Sequence, residues 1–276
     1  MASFRDKLDA ACRANGSLLC VGLDPDPQRM PVPDVFQFNK AIVDATADLV
    51  CAYKPNMAFY EALGLPGLEA LQRTVEHIRS QAPGVVVIGD SKRGDIGPSA
   101  RAYATALFEV WGFDATTANA YGGGDTLRPF LEWPGRGVFV WCRSSNSGAA
   151  DLQDLRVDGN GTPVYQELAA RSRQWADDGS LGLVLGATYP RELKRVRELC
   201  PETPFLIPGV GAQGGALAEA VSGGTDANGR NAVINSSRGV LYASRGQDFA
   251  QAARDAAARL KDEIDDVLAG EGVGWS

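Results

Sequence analysis

The chain has 276 residues, of which 45% are hydrophobic and 22% are charged, so it holds enough apolar material for a globular core. Its net charge of -7 argues against a protein that binds nucleic acid through a basic face. The single histidine excludes serine-hydrolase triads and most zinc sites. The five cysteines include no CxxC pair, and we found neither a signal peptide nor a membrane span, so we expect a cytoplasmic protein with reduced thiols.

An N-terminal helix is predicted from Ser3 and Asp6, which have the spacing of a capping box, and Gly16 is placed to end it. Eight short apolar runs follow, and helical patterns separate most of them. The runs span residues 18–23, 50–53, 85–88, 115–118, 137–142, 181–185, 204–207 and 232–234. Eight strands that alternate with helices favour a closed (β/α)8 TIM barrel over an open sheet.

One segment departs from this alternation. Residues 147–174 contain a turn signal at 158–161, and Thr162 with Pro163 is expected to open another helix. We interpret 147–174 as an insertion after strand 5. A final helix is predicted over 249–268, and no linker is visible, so the expected organisation is a single domain over residues 1–276.

The stretch 89–97, GDSKRGDIG, places two carboxylates and two cations directly after the apolar run 85–88. Alternation along an extended strand predicts that Asp90 and Lys92 point the same way. Gly94 permits a turn that brings Asp95 back toward the same ammonium. A surface salt bridge is the alternative interpretation, but functional sites are where such charges collect.

In TIM barrels the working residues lie at the carboxyl ends of the strands. Lys54 follows strand 2 and is one of only six lysines, and an ammonium, unlike a guanidinium, can release a proton when its surroundings permit. A surface ion pair is again the alternative for Lys54. The polar residues at these strand ends are Asp24, Lys54, Asp90, Lys92, Ser144, Ser145 and Arg238.

Two loops near the end of the chain predict a phosphate site. The segment 208–215, PGVGAQGG, follows strand 7, and 235–239, NSSRG, follows strand 8. Barrels frequently bind phosphate between these two loops. Glycines let backbone N–H groups approach an anion closely, and Arg238 adds a charge-assisted fork.

Together these motifs resemble the orotidine 5'-phosphate decarboxylase family, specifically its longer bacterial subgroup. The resemblance covers residues 18–245 and includes Asp90-x-Lys92-x-x-Asp95, the segment 52–61 (AYKPNMAFYE) around Lys54, and 208–215. It implies decarboxylation of orotidine 5'-monophosphate (OMP) to uridine 5'-monophosphate (UMP), the last step of de novo UMP biosynthesis. It also implies that no cofactor or metal is needed, and that two barrels form a homodimer with shared active sites.

The resemblance implies that Lys92 stabilises the carbanion at C6 of the pyrimidine and gives it a proton, within a network of Lys54, Asp90 and Asp95. Asp95 and Ile96 would reach across the dimer interface. Three small departures from the family pattern fall at Ser91, at Ser99 and in the segment 144–147, and the last leaves Ser144 open as an alternative to Ser145. The implied substrate contacts are Asp24 to the ribose, Ser144 or Ser145 to the pyrimidine amide, Gln213 between phosphate and base, Arg238 to the phosphate, and Ile96, Ser99, Pro208, Gly214 and Ser237.

Two alternatives remain. A magnesium-dependent decarboxylase or aldolase of the same barrel group reuses the Asp-x-Lys-x-x-Asp pattern, but it typically carries an acidic metal ligand where this chain has Lys54. A cation at that place would repel Mg²⁺, which binds oxygen ligands. The second alternative is a nucleotide-binding barrel that has kept only the phosphate site and has no activity.

Overall fold

Eight parallel strands form the centre of the molecule and close into a barrel in which each strand pairs with its neighbours in sequence. The strands are β1 (Leu19–Leu23), β2 (Ala52–Pro55), β3 (Val86–Arg93), β4 (Ala115–Ala118), β5 (Gly137–Arg143), β6 (Leu181–Leu185), β7 (Phe205–Pro208) and β8 (Ala232–Ser236). The predicted (β/α)8 architecture is therefore confirmed. The structure is a computed structural model that describes residues 2–157, 159, 161–176, 178–210 and 216–275.

Helices connect most of these strands. They are α1 (Phe4–Asn15), α2 (Val35–Thr46), α3 (Met57–Glu61), α4 (Gly64–Gln81), α5 (Gly97–Thr105), α6 (Arg128–Leu131), α7 (Ala150–Gln153), α8 (Val164–Trp175), α9 (Pro190–Leu199), α10 (Ala216–Gly224), α11 (Arg238–Leu241) and α12 (Phe249–Gly270). Single turns of 3-10 helix cover Gly124–Thr126 and Ser147–Ala149, and a π-helical turn at Ala106–Val110 continues α5. Among the helices of the described ranges, none is both long and apolar enough to span a membrane.

The N-terminal helix α1 begins and ends as predicted. Ser3 Oγ accepts a hydrogen bond from the backbone N–H of Asp6 at 3.1 Å, and Ser3 N–H donates to the Asp6 carboxylate at 3.0 Å. Gly16 ends the helix in the left-handed conformation, with φ 51°. The ring of Phe4 packs edge-on against Phe139, with ring centroids 5.6 Å apart, so α1 packs against β5 of the barrel.

The insertion after β5 is shorter than the sequence predicted. Residues 156–157 pair with 162–163 in a small antiparallel ribbon, and α8 begins directly after it. The helix α8 buries Tyr165, Ala169 and Ser172 and leads into β6, so it is the ordinary connecting helix of the barrel. The insertion therefore ends near residue 163 rather than at 174, because the helical pattern that followed belongs to the barrel itself.

The direction of the strands determines where a site can form. All eight run parallel, so their carboxyl ends meet at one rim, and loops from different parts of the chain converge there. All five cysteines are buried and free of disulfides, as their odd number and spacing predicted. Because the strand ends and loops converge at the carboxyl rim, a small-molecule site lined by polar side chains is expected there.

Candidate active site

A cleft of about 540 Å³ opens at the carboxyl rim, a volume within the usual range of small-molecule pockets. Residues at the carboxyl ends of β2, β3, β7 and β8 and in the loops after β1, β2, β7 and β8 line it. They are Asp24, Arg29, Lys54, Asn56, Asp90, Pro208, Gly209, Val210, Asn235, Ser237, Arg238 and Gly239. Most of the predicted site residues that the structure describes thus lie in one cleft or beside it.

Three charged side chains form a row at one side of this cleft. Asp90 lies in the middle: its Oδ2 is 2.9 Å from Nζ of Lys54, and its Oδ1 is 2.6 Å from Nζ of Lys92. The side chains of Lys54 and Asp90 are 4% and 9% exposed, whereas that of Lys92 is 37% exposed. Lys54 and Asp90 thus line the cleft, and Lys92, held against Asp90, is the most exposed member of the row.

The backbone at Lys92 is strained. Its φ is 46°, in the left-handed region that costs a non-glycine residue about 1–2 kcal/mol. The pairing of β3 with β4 shifts register between Gly89 and Arg93. The expectation of regular strand alternation was therefore wrong here, although Asp90 and Lys92 do meet. Strained backbone of this kind is typical of a functional position.

Thr117 on β4 holds this kink in place, and sequence reasoning missed it. Its hydroxyl accepts hydrogen bonds from the backbone N–H groups of Ser91 at 3.0 Å and Lys92 at 2.9 Å. The same hydroxyl donates to Asp90 Oδ1 at 2.9 Å. One buried threonine thus fixes both the strained backbone and the carboxylate that holds the ammonium.

The charges of the row stabilise one another in the ionised form. Burial alone would lower the pKa of Lys54, but the negative charges of Asp90 and Asp24 outweigh it and raise that pKa above its ordinary value. Burial would likewise raise the pKa of Asp90, but Lys54 and Lys92 outweigh it and hold that pKa well below its usual range. Lys54 and Asp90 are therefore both charged at neutral pH.

This coupling predicts how stability changes with pH. An unfolded aspartate has a pKa of about 3.9, and the folded pKa of Asp90 is lower, so its charge stabilises the fold above pH 4 or so. That stabilisation is lost as the pH falls through the folded pKa. In urea titrations we expect the free energy of unfolding of the wild type to begin to fall relative to that of Asp90→Asn below about pH 5 and to go on falling below pH 3. A difference that stays constant with pH would contradict the assignment.

The segment after Lys92 is exposed. Asp95, Ile96 and Ser99 are exposed, and Asp95 Oδ1 accepts a hydrogen bond from the backbone N–H of Ile96 at 2.7 Å. Among the ion pairs of the described residues, none includes Asp95, so the expected return of Asp95 to the ammonium of its own chain was wrong. Arg93 pairs with Glu61 instead of Asp90, which agrees with the choice of Lys92 as the active cation.

The two serine alternatives occupy different environments. Ser144 is buried, and its backbone N–H donates to Oε1 of Gln153 at 2.9 Å. Ser145 is exposed, and a Cβ placed on Gly209 of the cleft would lie 3.8 Å from the Ser145 Cβ. Ser145 is thus exposed beside Gly209, while Ser144 is buried against Gln153 of the insertion.

The other side of the cleft has the features of an anion site. Arg238 is exposed there beside Ser237, and Gly209 has a φ of 99° that favours glycine. The guanidinium of Arg29, which sequence reasoning missed, lies 4.1 Å from the centre of the Tyr242 ring and also lines the cleft. Gln213 and Gly214 lie outside the described residues.

Asp24 also lines the cleft, its charge acts on Lys54, and it carries an unused acceptor. Its Oδ1 is buried and has no hydrogen-bond partner among the described residues. A buried carboxylate oxygen normally has a donor, so a ligand hydroxyl would satisfy it. Within the described ranges, no three side chains of His, Cys, Asp or Glu converge as a metal site would require.

Comparison with known proteins points to one family. The sequence model described as "Orotidine 5'-phosphate decarboxylase / HUMPS family" matches residues 17–256. The orotidine 5'-phosphate decarboxylase of Thermomicrobium roseum is 48% identical and aligns over 96% of each chain. That of Cupriavidus metallidurans is 47% identical over 86% of this chain and 89% of the relative. The solved OMP decarboxylase of Leishmania donovani is 39% identical with a TM-score of 0.84, and the match covers 96% and 98% of the two chains.

Proposed function

The chain belongs to the orotidine 5'-phosphate decarboxylase / HUMPS family, and from this premise we propose that it converts OMP to UMP and CO2, the last step of de novo UMP synthesis. The observation that carries the proposal is the row of Lys54, Asp90 and Lys92 beside the cleft. The row offers an exposed ammonium, held by a buried carboxylate, to whatever fills the cleft.

The lining of the cleft supports one orientation of the substrate. Arg238, Ser237 and the backbone at Gly209 bind the phosphate, because guanidinium and N–H groups suit a phosphate dianion. Asp24 accepts hydrogen bonds from the ribose hydroxyls, which satisfies its buried oxygen. Ser145, which lies beside Gly209, meets the pyrimidine amide. The remaining end of the substrate, C6 with its carboxylate, then faces Lys92.

Decarboxylation is a heterolytic step in this orientation. The bond from C6 to the carboxylate breaks, CO2 leaves, and both electrons stay on C6. The Lys92 ammonium stabilises this electron pair and transfers its proton to C6, which gives UMP and a neutral amine. Because Lys92 is partly exposed, the amine regains a proton from solvent. Asp90, itself held by Lys54 and Thr117, fixes the position of Lys92 throughout.

We further propose that two chains form a homodimer with shared sites. Asp95 and Ile96 are exposed on the segment directly after the row, and Ile96 is an apolar side chain that is 66% exposed. An apolar residue beside a carboxylate with no ion pair among the described residues fits a position buried by a second copy. The partner's Asp95 would then add a second carboxylate beside Lys92.

The proposal is tested by offering the purified protein OMP and, separately, a keto sugar phosphate that carries a carboxylate. We expect OMP to be consumed with equal amounts of UMP and CO2, and the sugar acid to be unchanged. Consumption of the sugar acid alone would favour the magnesium-dependent relatives. Tight binding of UMP without turnover of OMP would identify a barrel that only binds nucleotides.

A further inference from the structure

The insertion after β5 contacts Ser144 directly. Helix α7 ends at Gln153, whose side-chain amide lies against Ser144. Oε1 of Gln153 accepts from Ser144 N–H at 2.9 Å, and Nε2 donates to Ser144 Oγ at 3.1 Å. The backbone and the hydroxyl of Ser144 are therefore both held by one side chain of the insertion, which a random surface loop would not provide.

A buried arginine, Arg143, binds the same segment. Arg143 is 2% exposed, and its guanidinium donates to Asp154 Oδ2 at 3.0 Å and to the Ser144 carbonyl at 3.1 Å. The guanidinium lies 4.0 Å from the centre of the Tyr189 ring. Asp154 is the residue directly after Gln153, so the ion pair sets the place of the helix end. A buried cation without this partner would be costly.

Ser145 is the next residue along the chain and has little freedom of its own. Its carbonyl accepts a hydrogen bond from Thr188 Oγ1 at 3.2 Å. A Cβ at Gly186 would lie only 2.8 Å from the Ser145 Cα and Cβ, so the two backbones are in close contact. These contacts and the fixed Ser144 hold the backbone of Ser145 in place, with its Cβ beside Gly209 of the cleft.

We propose that Gln153 and Asp154 are positioning residues for recognition of the pyrimidine base. They act through Ser144 and Arg143 on Ser145, so that the insertion sets how tightly the base is bound. This inference rests on the proposed function, because it takes Ser145 to be the base contact. It assigns to residues 147–163 a role in substrate affinity, whereas an insertion that merely closes the surface would affect stability alone.

The test separates recognition of the base from recognition of the phosphate. UMP and ribose 5-phosphate share the ribose and the phosphate, and UMP alone carries the base. In Gln153→Ala we expect the inhibition constant of UMP to rise about tenfold. The reason is that losing the contribution of roughly one hydrogen bond weakens binding by about that factor. The inhibition constant of ribose 5-phosphate should stay within about twofold. Asp154→Asn should have the same effect as Gln153→Ala: the inhibition constant of UMP should rise, and that of ribose 5-phosphate should stay nearly unchanged.

Asp151→Asn is the matched control, because Asp151 is an exposed acid on the same helix with no hydrogen bond to the serine pair. It should leave both inhibition constants unchanged. If Gln153→Ala does not fold, Gln153→Met keeps the length of the side chain and removes only the amide. In a Ser145→Ala background, Gln153→Ala should have almost no further effect on UMP, since its route of action is already gone.

The outcomes distinguish this inference from the proposed function. A wild type that does not consume OMP would overturn the proposed function itself. A wild type that consumes OMP, with UMP bound equally well by Gln153→Ala, would overturn only the inference. An equal loss of affinity for UMP and ribose 5-phosphate would also overturn it, because it would show a general loosening of the site.

Discussion

Replacing Lys92 with arginine is expected to lower kcat for OMP by about 10⁴-fold or more while leaving the fold intact. Arginine keeps the positive charge beside Asp90 but cannot release a proton at any accessible pH. General acid catalysis by a positioned group contributes about 10²–10⁴-fold, and a longer guanidinium would also misplace the charge that stabilises C6. Lys92→Met, which removes the charge as well, should be at least as inactive. Steady-state assays at high protein concentration, with OMP still in excess, measure kcat for both variants.

Lys40→Arg is the control for this substitution. Lys40 is a partly exposed lysine in an ion pair with Asp44 on α2, away from the cleft lining, so turnover should stay within about twofold of the wild type. Thermal unfolding should show that all three variants fold. A Lys92→Arg protein that turned over OMP like the wild type would exclude Lys92 as the proton donor.

Replacing Arg238 with alanine is expected to lower kcat/KM for OMP about 10²-fold and to change kcat/KM for orotidine, which has no phosphate, by no more than a few-fold. Hydrogen bonds from a guanidinium to an ionised partner are among the stronger polar contacts, so their loss should appear only when the phosphate is present. The energy of such a remote contact contributes to turnover as well as to affinity. Parallel assays with the two substrates measure the difference.

Arg245→Ala provides the matched control. Arg245 is an exposed arginine seven residues further along the chain, and it does not line the cleft. Its replacement should change kcat/KM for neither substrate, because general electrostatic attraction by surface charge is small at ordinary salt. Equal losses of kcat/KM for OMP and orotidine in Arg238→Ala would contradict the assignment of Arg238 to the phosphate.

The strands of the barrel were predictable because each one combines an apolar run with flanking helical patterns. The end of β3 was not. Its apolar run stops at Ile88, but the strand continues to Arg93, since charged residues at the rim still pair with β4. The left-handed turn at Lys92 could not be read from the sequence either, because glycine is the residue that normally signals such a conformation.

The site itself was only partly visible in the sequence. The charge cluster revealed Asp90 and Lys92, because two acids and two cations after a buried strand are rare. Thr117 was missed because a buried threonine in a strand looks like any other β-former. Arg29 was missed because its place in the cleft depends on how the loop after β1 folds toward Arg238, which lies more than 200 residues away in the sequence.

The extent of the insertion illustrates the same limit. The insertion is of interest for its side-chain contacts. Gln153 and Asp154 contact residues about ten positions earlier in the chain. No local pattern marks Gln153 as a partner of Ser144. Side-chain contacts of this kind follow from the packing of the finished barrel, so they appear only once the structure is known.

In the proposed reaction the chain decarboxylates OMP through Lys92 and needs no metal. Its most direct test is the change in absorbance of OMP on mixing with protein that has been dialysed against EDTA and assayed with EDTA in excess. We predict full turnover to UMP by the wild type and none above background by Lys92→Met. Turnover that appears only when Mg²⁺ is restored, or that persists in Lys92→Met, would contradict the account.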